Sequence, residues 1–131
     1  MRILIAEDDY ASRKFLSQFL SQYGECDLTV DGIEAVDAFV IAHDMNKLYD
    51  LVCLDVMMPR IDGIKALKAI RDFEKKKGIN GQKAVKIIMV SALNESEVVM
   101  ESFSTGNEIY ITKPIDLEKL VDSLKKFNLI S

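Results

Sequence analysis

A cluster of carboxylates closes one apolar run, and a single carboxylate closes another. Ile3-Leu4-Ile5-Ala6 ends on Glu7, Asp8 and Asp9, and Leu51-Val52-Cys53-Leu54 ends on Asp55. Two more runs stop on groups suited to an anion: Ile87-Ile88-Met89-Val90 on Ser91, and Ile109-Tyr110-Ile111-Thr112 on Lys113. Like charges about 4 Å apart cost on the order of 4 kcal/mol at an effective dielectric near 20. Clustered acids therefore call for a cation, and oxygen-only donors select a hard one, Mg²⁺ or Mn²⁺ in its place. A cation, an ammonium and a hydroxyl around one nucleophilic carboxylate suit phosphoryl transfer. Charge there spreads over the equatorial oxygens, and catalysis is mostly positioning and neutralisation.

These residues need a scaffold that brings strand ends to one edge. Strand-like runs are expected near 2–6, 26–30, 51–55, 86–90 and 109–112, alternating with helices near 10–22, 33–44, 63–77, 95–104 and 117–127. Such alternation predicts a parallel sheet covered by helices on both faces. Open sheets of this class place their chemistry at the carboxyl edge. The uninterrupted run 51–55 reads as a strand buried on both sides. Leu117, Leu120, Val121, Leu124 and Phe127 mark one face of the last helix. Asp62 and Asp116 are candidate N-caps, and Asp31-Gly32 and Asp62-Gly63 supply turn chemistry. Lys75 to Lys83 reads as a helix end followed by a rather long glycine-containing loop.

With 131 residues, 49% of them hydrophobic and 29% charged, the chain is expected to form one globular domain. The formal net charge of −4 argues against electrostatic nucleic-acid binding, and the lysines at 75–77, 83 and 86 read as a solvated helix end and loop. No apolar stretch reaches the roughly 20 residues of a membrane span, and Met1-Arg2 leads straight into a strand rather than a signal peptide. Cys26 and Cys53 read as reduced thiols, consistent with a cytoplasmic setting. His43, the sole histidine, is expected on a helix surface, and Met57 and Met58 are expected to pack.

Glu7-Asp8, Asp55 with Met58-Pro59 and Asp62-Gly63, Ser91-Ala92, and Tyr110 with Lys113-Pro114 stand in order along essentially the whole chain. The set resembles the receiver domain of two-component response regulators, of the chemotaxis type. The resemblance implies a single receiver domain over 1–131 with a five-stranded, flavodoxin-like α/β fold of strand order 2-1-3-4-5. It implies that Asp55 accepts a phosphoryl group from a phosphohistidine on a sensor histidine kinase or a histidine phosphotransfer protein. Glu7, Asp8, Asp55 and the backbone carbonyl of Met57 would hold Mg²⁺, and Ser91 and Lys113 would contact the phosphoryl oxygens. Ser91 and Tyr110 would form the switch, reshaping the surface of the fourth helix, fifth strand and fifth helix that a downstream effector reads. Met57 and Leu93 would flank the phosphoryl group and influence its lifetime. The Lys113–Pro114 bond would be cis. Such a domain catalyses only its own phosphorylation and slow dephosphorylation, and needs neither nucleic acid nor membrane.

Each residue also has a plainer reading. Asp9 either caps the first helix or joins the metal ligands, Ser91 alone is an ordinary strand-end hydroxyl, and Tyr110 alone is a sheet-edge aromatic. Two other functions use a similar scaffold. A phosphohydrolase of the haloacid-dehalogenase type needs a second acid two residues after its nucleophile, where Met57 stands. A flavodoxin-type FMN carrier needs a Ser/Thr/Gly-rich phosphate loop after the first strand, where Glu7-Asp8-Asp9 would repel the phosphate. The chain departs from the receiver pattern in carrying Ser91 for the commoner threonine and Gly106-Asn107 for the usual Gly-Ala.

Overall fold

The computed structural model describes residues 1–92 and 107–131. Five parallel strands, β1 (Arg2–Ala6), β2 (Glu25–Thr29), β3 (Leu51–Asp55), β4 (Lys86–Ser91) and β5 (Glu108–Thr112), lie in the order β2-β1-β3-β4-β5. Helices α1 (Tyr10–Leu20), α2 (Gly32–Asp44) and α3 (Gly63–Lys76) and a C-terminal helix (Leu117–Lys126) cover the sheet. The expected helix at 95–104 and Leu93 lie outside the described residues.

Successive strand residues point to opposite faces, and the sequence fills both with apolar side chains. Leu4, Ala6, Val52, Leu54, Ile87 and Met89 pack against Ala35 and Phe39 of α2 and Ala66, Leu67 and Ile70 of α3. Ile3, Ile5, Cys53, Ile88, Val90 and Ile111 pack against Leu16 and Leu20 of α1 and Leu120 and Leu124 of the C-terminal helix. All five residues of β3 are buried, as the unbroken apolar run predicts. Burying each such Leu or Ile contributes about 1.5–3 kcal/mol. Both cysteines are free, and Cys53 is buried in the second core.

An aspartate caps every described α-helix. Asp9 accepts from the Ser12 N–H, Asp31 from Glu34, Asp62 from Lys65 and Asp116 from Glu118. Each cap satisfies a backbone donor that the first turn leaves unpaired. Asp9 is thus the cap of α1, the first of its two readings. Asp31 does more than turn the chain: its second oxygen pairs with Arg60 at 3.3 Å, docking the loop after β3 onto the start of α2.

Two expectations need adjustment. His43 is not a plain surface residue, because its ring sits 4.9 Å from Phe39 and 5.1 Å from Phe73, centroid to centroid. Met57 does not pack: its side chain is 62% exposed, whereas Met58 rests against the first core. Asn107, at the departure from Gly-Ala, is buried and serves the long loop. Its amide donates to the Gly81 carbonyl at 3.0 Å, its side-chain oxygen accepts from Lys86 Nζ, and its backbone carbonyl accepts from Ile87. The side chain ties the loop after α3 to the entry of β4 and β5.

Candidate functional site

The carboxyl ends of β1, β3, β4 and β5 converge because the strands run parallel in adjacent register. Asp55 lies opposite Val90, Ser91 opposite Thr112, and Lys113 follows at once. The Val56 N–H donates to Val90 and the Lys113 N–H to the Ser91 carbonyl at 2.8 Å, so the hydrogen-bonded ladder continues into the site. Gly63 lets the loop after β3 fold tightly under it. Its N–H donates to Val56 at 2.8 Å, and a Cβ there would lie 2.2 Å from the Asp55 carbonyl oxygen.

Carboxylate oxygens of Glu7, Asp8 and Asp55 lie within 4.8 Å of one another. Glu7 is fully buried, Asp55 is 5% exposed, and Asp8 faces solvent. Lys113 Nζ bridges the two buried acids, donating to Glu7 Oε1 at 2.9 Å and to Asp55 Oδ2 at 3.1 Å. The other Asp55 oxygen accepts from the Met57 N–H at 3.3 Å. Burial pushes the Glu7 carboxyl above its ordinary value, and the hydrogen bond and charge of Asp55 push it the same way, with Lys113 opposing. For Lys113, burial works against the charge, but the hydrogen bonds to Glu7 and Asp55 outweigh it and the ammonium is held more tightly than usual.

Ser91 is fully buried, and its hydroxyl has no hydrogen-bond partner among the described residues. A buried hydroxyl without a partner costs about 1–3 kcal/mol. Such an atom at a strand end beside acids and an ammonium is the mark of a site built for a further group. Tyr110 lies half-buried against the first core, and burial, then the Glu108 charge, push its phenol up to about 12.

Residues 3–125 match the response regulator receiver domain family. The chain belongs to that family. It is 32% identical over 125 residues to the chemotaxis protein CheY of Treponema pallidum, covering 94% of this chain and 79% of that one. Among solved structures, the CheX-CheY-BeF3-Mg complex of Borrelia burgdorferi contains a chain that matches with a TM-score of 0.79 at 28% identity, covering 100% of this receiver and 90% of that chain. A chain of the Saccharomyces cerevisiae complex of the phosphotransfer protein Ypd1 with the receiver domain of Ssk1 matches with the same TM-score at 30% identity, covering 95% of this receiver and 86% of that chain. Other relatives are far longer: this receiver spans 12% of Probable histidine kinase 2 of Oryza sativa subsp. indica.

The receiver thus brings together Glu7, Asp8, Asp55, Ser91 and Lys113, with Met57 at the rim, and its Lys113–Pro114 bond is cis. The sequence reading passed over Arg13. Its guanidinium donates to the backbone carbonyls of Glu7 at 2.9 Å and Asp8 at 3.3 Å. The one sign of it in the sequence is a cation one helical turn beyond the capping Asp9.

Proposed function

We propose that Asp55 is the phosphoacceptor, taking a phosphoryl group from a phosphohistidine of a sensor histidine kinase or histidine phosphotransfer protein. The observation that carries this is the combination of Asp55 hydrogen-bonded to Lys113 with the partnerless Ser91 hydroxyl on the neighbouring strand. An Asp55 carboxylate oxygen attacks phosphorus, the P–N bond to imidazole breaks, and the departing imidazole takes up a proton. Lys113 neutralises charge on the equatorial oxygens, and the Ser91 O–H donates to one of them.

The donor set fits Mg²⁺: three carboxylates, oxygen only, with Asp8 open to solvent. Glu7, Asp8, Asp55 and the Met57 carbonyl would hold it. Bound there, the ion supplies charge neutralisation of the phosphoryl oxygens. Mn²⁺ would serve in its place.

Residues 1–131 act as one cytoplasmic receiver domain that catalyses only its own phosphorylation and slow dephosphorylation. No described helix is long and apolar enough to cross a membrane. The Ser91 hydroxyl gains its hydrogen bond only in the phosphorylated state, which biases Ser91 and Tyr110 toward a second arrangement and alters the face offered to a downstream effector protein. Met57, exposed at the rim of the site, and Leu93 set the lifetime of the acyl phosphate. Intact-mass spectrometry after treatment with acetyl phosphate and Mg²⁺ is the test. Wild type should gain one phosphate and Asp55→Asn none. An equal adduct on the Asn variant would remove Asp55 from the role.

A further inference from the structure

The turn between β1 and α1 carries two of the three clustered acids in three residues, and one side chain braces it. Glu7 donates its N–H to the Thr29 carbonyl, and the Asp9 N–H reaches Glu7 Oε2 at 3.3 Å. The three backbone carbonyls of this turn all end on Arg13. Its guanidinium takes those of Glu7 and Asp8, and its own N–H takes that of Asp9 at 2.9 Å. Asp9 caps the helix on which Arg13 rides, and the guanidinium lies 5.6 Å from the centre of the exposed Tyr10 ring. Glu7 is held by Lys113 as well, but Asp8 faces solvent, and none of the described hydrogen bonds reaches its carboxylate. The direction in which Asp8 points is therefore set by its backbone.

We propose that Arg13 is a positioning residue for the metal site. It staples the turn so that the Asp8 carboxylate stands beside Glu7 and Asp55 before any cation arrives. Preorganisation of this kind raises affinity by removing an ordering cost from the binding step. The inference rests on the reading of Glu7, Asp8 and Asp55 as Mg²⁺ ligands.

Simple electrostatics argues the opposite way, which makes the role testable. A positive charge beside a cation site repels the cation, so if charge alone mattered, removing Arg13 would tighten Mg²⁺ binding. A staple predicts looser binding. Both carbonyls accept from one guanidinium nitrogen, Nη1; lysine keeps the charge, but its shorter, freely rotating ammonium is not fixed at that point by a rigid plane. Arg13→Gln and Arg13→Lys should be compared with wild type by isothermal titration calorimetry with MgCl2, and by hydrogen exchange of amides 8–12 without metal. Urea unfolding of each variant identifies the folded conditions for both measurements.

The expected result is Mg²⁺ affinity about 5–10-fold weaker in Arg13→Gln and about 2–5-fold weaker in Arg13→Lys, with faster exchange at 8–12 in both. Equal or tighter binding in Arg13→Gln, or unchanged exchange at 8–12, would overturn the proposal. Should wild type itself fail to bind Mg²⁺, the metal reading falls, and the positioning proposal falls with it. The exchange arm would then still show whether Arg13 orders the turn. Wild-type binding with indifferent Arg13 variants would remove the positioning role alone.

Discussion

Replacing Lys113 with methionine removes the one counter-charge among the described residues that touches both Glu7 and Asp55, the buried acids of the site. Its contacts at 2.9 and 3.1 Å each amount to about 5–6 kcal/mol of bare Coulomb attraction at an effective dielectric near 20. Lys113 is a third exposed, so solvent screens part of this, and its own desolvation takes another part. The loss also has a ceiling. Glu7 can escape unpaired burial by taking a proton and donating it to Asp55, a step its raised pKa already favours. From an ordinary carboxyl value of 4.5, that escape costs at most about 1.36 kcal/mol for each pH unit above it. The ceiling is about 4 kcal/mol at pH 7.5 and about 1.4 kcal/mol at pH 5.5.

Urea unfolding of wild type and Lys113→Met, without metal, should therefore show a loss of about 2–4 kcal/mol at pH 7.5 that shrinks below about 1.4 kcal/mol at pH 5.5. The linkage runs the same way in wild type. A carboxyl whose folded pKa is raised stabilises the fold below its unfolded value and loses that contribution as pH climbs through the folded value. Metal-free stability from Glu7 should thus decline above about pH 4.5. The Lys113 contribution, from a raised ammonium pKa, persists until pH passes 10.5. Mg²⁺ at ten times the variant's dissociation constant should stabilise Lys113→Met itself by about 1.4 kcal/mol. A loss equal at both pH values would refute the reasoning, because it would mean that Lys113 acts through packing and not through charge.

Arg71→Met should destabilise the fold by about 3–5 kcal/mol in urea unfolding, because it removes the guanidinium charge that the buried carboxylates of Glu74 and Glu108 now share at 2.5 and 2.7 Å; a loss under 1 kcal/mol would show the network to be dispensable. Replacing Met57 with Asn and Leu93 with Glu together should speed loss of the phosphoryl group about 10-fold, some 1.4 kcal/mol of barrier, in a decay assay without any phosphatase; an unaltered rate would mean that these side chains do not govern water access. Beryllofluoride with Mg²⁺ should change hydrogen exchange at Ser91 and across 107–112, and unchanged protection there would count against a switch through Tyr110.

The site was legible in the sequence because each of its parts is a strand end. Apolar runs that stop on Asp55, Ser91 and Lys113 announce both the strand and the edge that the parallel order then gathers. What escaped depends on partners distant in sequence. Asp31 looks like a turn residue until Arg60, 29 residues on, completes its second contact. Arg71 and Glu108 are 37 residues apart, and neither shows in sequence that it is buried against the other. His43 is polar by type, yet it stands four residues after Phe39 on the flank of the buried stripe of α2, and Phe73 from α3 closes over it. Met57 has the chemistry of a packing residue, but the loop after β3 leaves its side chain in solvent. Asn107 shows in sequence only as a polar residue before a strand, and its partner Gly81 in the loop after α3 lies 26 residues earlier.

The central claim is that a phosphoryl group enters this receiver on the Asp55 carboxylate. An acyl phosphate is reduced by borohydride to an alcohol, which turns a phosphorylated aspartate into homoserine and marks the position permanently. The receiver should be treated with acetyl phosphate and Mg²⁺, reduced, digested and sequenced by tandem mass spectrometry. Homoserine is expected at position 55 alone, in proportion to the intact-mass adduct and lost when Mg²⁺ is chelated before phosphorylation. Homoserine at Asp8, the longer reduced alcohol 5-hydroxynorvaline at Glu7, or a stoichiometric adduct that borohydride leaves untouched, would contradict the claim.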